Sequence, residues 1–324
     1  MIKEEIKEFA KKCGADLVGI GSMDRYEGAP MQSDPRYIFP EAKSIIGLGF
    51  RIHRGLLRGI EEGTYFAGYP AMGYASINDV YAPIVLREVG NFLEDNGYEA
   101  ILYQNTSVRL GTGVGKPVAL DKPKPDVFLH FRIAAFICGM GEIGYSKVFL
   151  TPEFGPRQRF AFIITDAPLD PDPLFEGELC DGCMMCVKEC TAGAINGEKT
   201  VKVTVAGREL EWNDLDADKC SAIYQAGTPE YSPFMNEETK AVIESLLGRE
   251  FDEQKLPANY NGDIWRYLRE KMPYIRNTWE SYHHPAGIEG ARGCIRACMI
   301  HLEETRKIKN LFKNPFRIRK PWQL

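Results

Sequence analysis

The stretch "CDGCMMCVKECTAGAI" (Cys180–Ile195) sets four cysteines at the spacing C-x2-C-x2-C-x3-C. Two-residue gaps let one tight loop turn three thiolates toward a common point, as three corners of an iron–sulfur cubane require. The fourth cysteine, three residues on, is carried away by a short helix and serves a second cluster. Zinc is the other metal for clustered cysteines, but it draws on C-x2-C pairs from separate hairpins, so iron–sulfur is the expectation. One loop thus predicts two metal centres, and the remaining sulfurs must come from elsewhere.

Downstream lie Cys220, Cys294 and Cys298. Cys298 is expected to close the first cluster with Cys180, Cys183 and Cys186, leaving Cys190, Cys220 and Cys294 for the second. That set is one corner short. A repeat of the first motif would put a cysteine at 291, where the chain has Ala291. Either the second cluster has three irons, or a non-cysteine ligand such as His283, His284 or Glu289 fills the corner, or something outside these residues does. Cys13 and Cys138 read as packing residues.

The chain has 324 residues, which favours two domains and leaves room for a large pocket. It is 44% hydrophobic and 26% charged with a formal charge of −5, so nothing global points to nucleic acid. A small-molecule substrate or another protein is the expected partner. The opening "MIKEEIKEFAKKCGADLVGIG" holds no long apolar run and no twin-arginine pair, and no later stretch approaches the roughly 18 apolar residues that span a bilayer. The expectation is a cytoplasmic protein without a membrane segment. Seven of nine cysteines follow position 179, which in a reducing compartment speaks for metal rather than disulfides.

Ile2, Ile6, Phe9 and Ala10 share a helix face that Gly14 can end, and "DLVGIG" then reads as a buried strand. "KSIIGLGF" (43–50) is a second strand. Ser76 to Leu93 has helical spacing with Pro83 starting or kinking it, "YEAILY" (98–103) returns as a strand, a helix runs from His130 to Cys138, and "RFAFIITD" (159–166) is a strand. "DAPLDPDP" (166–173) carries three prolines and marks a boundary near 170. "VKVTVAGRELEW" alternates as a hairpin, and 73 residues of mostly helical pattern separate Cys220 from Cys294. "GTGVGKP" (111–117) fails the phosphate-loop spacing, and "GLGF" lacks the rest of a dinucleotide fingerprint.

The run "AAFICGMGEIGYSKVFLTPEFGPRQRFAFIITDAPLDPDP" (134–173), followed by the cysteine motif, resembles the corrinoid-dependent reductive dehalogenases. There an "AGLGE" turn, a "TPE-[FY]-GP" loop and a "TDLPL" strand end precede the first cluster motif. The wider group includes the epoxyqueuosine reductases, and "ADLVGIG" and "DKC" fit both. The resemblance implies an α/β (α+β) fold: a nitroreductase-like domain over residues 1–170 holding base-off cobalamin, then a two-cluster ferredoxin-like domain over 171–324 with a helical insert at about 221–293. None of the five histidines sits in an H-x-D-x-x-G signature, so no protein ligand to cobalt is expected. The family uses a tyrosine proton donor assisted by a basic residue, or an aspartate in epoxyqueuosine reductases. Arg159 falls where the assisting arginine is expected, Tyr103 is the first choice of donor and Asp126 the second, and Tyr65, Tyr69, Tyr74 and Tyr81 are candidates for the pocket lining. Gly139, Gly141 and Gly144, with the loop Thr151, Pro152, Gly155 and Pro156, are the expected corrinoid contacts, because glycine lets backbone approach a flat macrocycle closely.

Three departures qualify the resemblance. Thr191 and Met299 replace the proline that follows each fourth cysteine, position 291 lacks a cysteine, and the insert is long. The expected activity is a cobalamin- and iron–sulfur-dependent reductase that cleaves a carbon–heteroatom bond, fed by a low-potential donor such as ferredoxin or flavodoxin. The alternatives are an electron-transfer protein for a partner's corrinoid or metal centre, and a tRNA epoxyqueuosine reductase, which the acidic balance disfavours.

Overall fold

The computed structural model describes residues 3–104, 115–232, 235–248, 287–290 and 292–316. His283, His284, Ala291 and most of the insert lie outside the described residues. The chain opens with α1 (Lys3–Cys13), whose Ile6 and Ala10 are buried, and β1 (Leu17–Ser22). β2 (Ser44–Arg51) leads through α2 (Arg58–Glu62) and the single turn α3 (Gly68–Pro70) into a π-helix at Ala71–Tyr81. That π-helix continues without a break into α4 (Ala82–Asp95), where Pro83 sits in the first turn and needs no hydrogen-bond partner for its missing N–H. The helix therefore begins earlier than the apolar spacing from Ser76 suggests. β3 (Ala100–Tyr103), α5 (Phe131–Ile137), the small hairpin β4 (Glu142–Ile143) and β5 (Phe149–Leu150), and β6 (Gln158–Thr165) complete this part.

Four strands form one antiparallel sheet in the order β1-β2-β6-β3, which makes the fold mixed α/β with antiparallel pairing. Both faces are covered, and this explains why "RFAFIIT" is apolar at successive positions. Phe160, Phe162 and Ile164 turn to α5, while Ala161 and Ile163 turn to α1 and α4. Glycines make the α5 side close-packed: a side chain on Gly19 or Gly47 would run into Cys138 and Met140, and on Gly21 into Ile137. Gly47 of "GLGF" thus serves helix-on-sheet contact, while Gly49 meets the Leu17 side chain of β1. Phe162 is fully buried between layers, and cutting it to Ala would cost about 3–5 kcal/mol.

The chain after residue 170 packs on the same cores. Asp172 accepts hydrogen bonds from Lys7 Nζ at 2.8 Å and from the Ile20 amide at 2.9 Å, so the proline-rich run is tied to α1 and β1. The hairpin β7 (Thr200–Val205) and β8 (Arg208–Asn213) lays Val205 and Trp212 into the α5 core. α6 (Met185–Lys188), α7 (Ala217–Ala226), α8 (Glu237–Leu247) and α9 (Cys294–Glu304) follow, and Met299 of α9 enters the core beneath α1 and α4. No helix among the described residues is long and apolar enough to cross a membrane.

Candidate metal centres and active site

The loop before α6 turns at Gly182 (φ +69°) and at Met184 (φ +57°), the left-handed conformations that bring Cys180, Cys183 and Cys186 round to one side. Cys298, one turn into α9, faces them, and all four cysteines line one cavity with Gly144, Tyr145 and Leu302. Glu142 Oε1 accepts the amides of Leu179 at 2.6 Å and Cys180 at 2.5 Å, fixing where the loop starts. The Tyr145 amide donates to Cys180 Sγ at 3.3 Å, the kind of N–H···S bond that stabilises a thiolate ligand. Burial, and then the nearby sulfurs Cys180 and Cys183, push the Cys186 thiol up to about 11; burial, and then Cys180, Cys186 and Cys294, raise Cys298 well above the ordinary value. Cys186 and Cys298, the two members whose thiols burial raises, ionise readily only on a metal, and with exposed Cys183 and half-buried Cys180 beside them the donor set is one that a metal cluster could take. At the mouth, ligand atoms of Asp181, Cys183 and His301 lie within 4.8 Å of one another, and Asp181 is held down to about 2 by His301 and Lys307.

Cys190, Cys220 and Cys294 come from three separate segments. Burial and the neighbouring Cys190 raise Cys220 to about 11, and burial, Cys220 and Cys190 raise Cys294 further. Three thiolates therefore share one locality, one turn of α9 away from Cys298. Glu289 is buried at 6% exposure on a loop pinned to α7, where Ile288 and Gly290 donate to the carbonyls of Gln225 and Tyr224. A side chain on Gly293 would meet Glu289 Oε1 at 3.4 Å and the Glu189 carbonyl at 3.0 Å, which places that carboxylate between the neighbours of Cys294 and Cys190. Of the non-cysteine candidates, Glu289 is the one that falls among the described residues, and its Oε2 lies 3.8 Å from the guanidinium of Arg292.

Beside this set lies a partly buried polar group. Arg159, at the start of β6, donates from Nε to Asn78 Oδ1 at 3.0 Å, and its guanidinium carbon sits 4.0 Å over the ring of Tyr74. Tyr74 and Asn78 are four residues apart on the π-helix, a rare geometry that recurs at functional sites. Tyr69 is 4% exposed with its phenol pushed up to about 12 by burial, and its ring lies 6.4 Å from that of Tyr224. Arg132, in the first turn of α5, makes no hydrogen bond or ion pair among the described residues; burial, and then the charge of Arg159, pull it down to about 10, while Tyr74 and Cys220 draw it the other way. Lys147 is lowered by burial and by Arg132, with Asp214 and Cys220 opposing. His130 is lowered to about 3 by burial and then by Arg132, so it is neutral; its Nδ1 accepts the Ile133 amide, which leaves the proton on a buried Nε2 with no partner among the described residues.

Tyr103 and Asp126 lie elsewhere. Tyr103 sits opposite Phe162, three residues or about 10 Å along the sheet from Arg159, and its hydroxyl donates to the Val127 carbonyl at 3.3 Å and accepts the Leu129 amide at 3.2 Å. Asp126 is exposed, its carbonyl held by Gln32. Tyr65 is 52% exposed, and Tyr81 bonds Gly14 through its hydroxyl. Side chains on Gly139 and Gly141 would collide with the carbonyls of Pro173 and Leu150, so the absence of Cβ there serves internal packing; Gly144 lines the first cysteine cavity. Thr151 bonds Gln158 and caps Phe154, Pro152 accepts the Lys309 amide, Gly155 bridges back to Thr151, and Pro156 is buried. These loop residues meet Leu302 to Asn310. Asn78, Arg132 and Lys147 went unnoticed in the sequence; an asparagine inside an otherwise apolar helical run, four after a tyrosine, was the available signal for one of them.

No protein-family model matches the chain. It is 29% identical over 263 residues to the tetrachloroethene reductive dehalogenase of Desulfitobacterium hafniense, a match that covers 68% of this chain and 45% of the relative. It is 25% identical over 218 residues to the epoxyqueuosine reductase of Bacillus subtilis, covering 60% and 51%. A solved structure of the B. subtilis epoxyqueuosine reductase is similar at a TM-score of 0.47 and 17% identity, covering 94% of this chain and 82% of that one. The chain spans about half the length of the curated relatives it matches. It is a distant homologue of both the reductive dehalogenases and the epoxyqueuosine reductases, consistent with a divergent member of the group that joins them.

Proposed function

We propose that the chain is an iron–sulfur- and corrinoid-dependent reductase that cleaves a carbon–heteroatom bond in a small molecule, with Tyr74 as proton donor. The observation that carries it is the Arg159–Tyr74–Asn78 unit lodged beside the second cysteine set. When bound, a reduced corrinoid would supply the two-electron nucleophile for bond cleavage. What the protein's own residues do follows from their positions. The guanidinium of Arg159 over the Tyr74 ring offsets the negative charge that the phenolate acquires as its proton leaves. Asn78 fixes the guanidinium so that the stabilisation is in place before the proton moves. Half-buried Arg132 and Lys147 and the buried Nε2–H of His130 are donors suited to the amide and phosphate periphery of a corrinoid or to an anionic substrate.

The two cysteine sets would carry electrons inward from a low-potential donor docking near exposed Cys183. Single-turnover reduction by anaerobically reconstituted protein tests the assignment. Tyr74→Phe is expected to slow turnover about 100-fold or more, and Tyr103→Phe to leave it within about twofold. A Tyr74→Phe form as fast as the wild type would overturn it. Protein that binds both clusters but no corrinoid would favour the electron-transfer reading instead.

A further inference from the structure

A second cavity, of about 430 Å³, opens beyond the end of β2 and shares no residue with the Tyr74–Arg159 group. Arg51, Arg54, Arg58, Arg157 and Lys313 line it, together with His53, Phe312 and two asparagines, and no carboxylate does among the described residues. Two acidic groups answer from behind: Glu303 pairs in bidentate fashion with Arg54 at 2.7 and 2.8 Å, and Asp16 pairs with Arg51 at 3.0 Å. Arg157 and Lys313 have no ion pair among the described residues. Arg157 is only 2% exposed; its terminal nitrogens donate to the Ile52 carbonyl at 2.6 Å and to Asn310 at 3.2 Å, and its Nε finds no partner among the described residues. A buried guanidinium with an idle donor, set among further cations, is a costly arrangement unless an anion completes it. Burial, with the charges of Arg54 and Arg51 added, draws Arg157 down to about 10 despite the opposing pull of Glu303.

The fork of Arg54 is held by Glu303, that of Arg58 by the carbonyls of Asn314 and Pro315, and the terminal nitrogens of Arg157 by Ile52 and Asn310. The donors left toward the hollow are therefore Arg157 Nε, Lys313 and the outer nitrogens of Arg51. Several cationic donors around one hollow match an anion with three or more acceptor oxygens better than a single carboxylate. The positive charge is confined to a concavity of metabolite size on a chain whose net charge is −5, which favours a small ligand over a polyanion lying along a surface. We propose that this cavity binds the phosphate group of a small phosphorylated metabolite. The site stands apart from the redox chemistry, so it holds or fails independently of the function proposed above.

The test uses the full chain with reconstituted clusters and no corrinoid, titrated calorimetrically with inorganic phosphate and with pyrophosphate at constant ionic strength in chloride. Phosphate is expected to bind, and pyrophosphate to bind more tightly. Lys313→Glu, an exposed change with no bond to lose, should weaken both about tenfold. Arg157→Lys keeps the charge but loses the fork and should weaken both about fivefold; if its iron content shows that it has not folded, Lys313→Glu decides alone. Heat no larger than that of chloride, or unchanged affinity in Lys313→Glu, would overturn the site. So would displacement of phosphate by hydroxocobalamin, which would make the cavity part of a cofactor site, or a short RNA stem binding at lower concentration than pyrophosphate.

Discussion

The two cysteine sets are built differently. The first takes three sulfurs from one loop and the fourth from a helix, and it reaches the surface at Cys183. The second draws one sulfur from each of three segments, has none exposed, and lies against half-buried Arg132 and Lys147 and the Tyr74–Arg159 unit. A surface-reaching set backed by acidic Asp181 suits electron entry; an enclosed one backed by cations suits delivery into a dry site. Assembly should differ as well, because a contiguous loop can wrap a cluster early, whereas three dispersed segments must first be brought together by the fold.

The largest effect expected from breaking this contrast is at Arg159. Arg159→Gln removes the charge over Tyr74 and should slow single-turnover reduction about 100-fold, with the lost rate partly regained at lower pH, where a proton source is more abundant; an unaltered rate and pH profile would show that the pair is only structural. A smaller effect is expected at Arg132. Arg132→Met should make the second cluster harder to reduce by roughly tens of millivolts and shift the first by less, read by potentiometric EPR; equal shifts would erase the distinction between the sets.

The cysteine motif was legible because its chemistry is local, and so were β1, β2 and β6, whose apolar runs report burial on both faces of a sheet. The Tyr74–Arg159 contact was not. Its partners lie far apart in sequence and meet only because β6 stands next to the π-helix, so residue type pointed to Arg159 while Tyr103, at a strand end, looked the better donor. The glycines of "GMGEIG" carry an ambiguity of the same kind: they are expected to let backbone approach a corrinoid, whereas the atoms that a side chain on Gly139 or Gly141 would meet are the protein's own carbonyls. The proline-rich run near 170 read as a linker because composition says nothing of Asp172, whose bonds to Lys7 and Ile20 depend on the folded chain.

Asp172 supplies the mildest test, since it ties the segment leading to the cysteines to the first half. Burial pushes its carboxyl up, but hydrogen bonds from Lys7, the Ile20 amide and Lys3 outweigh that and hold it below its ordinary value. A depressed folded pKa gives stability that is present above the unfolded value of about 3.9 and is lost as pH falls through the folded one. Asp172→Asn should therefore destabilise the chain by roughly 1–2 kcal/mol at pH 7, with the difference shrinking below about pH 4 in denaturant titrations. A pH-independent difference would mean that the carboxylate's charge is irrelevant.

The account stands most directly on what the chain holds when reconstituted anaerobically with iron, sulfide and hydroxocobalamin, then counted by metal analysis and EPR. It predicts about seven or eight iron atoms in two spectroscopically distinct clusters, with about one corrinoid per chain. A chain that retains zinc, or iron enough for only one cluster, and no corrinoid would contradict it.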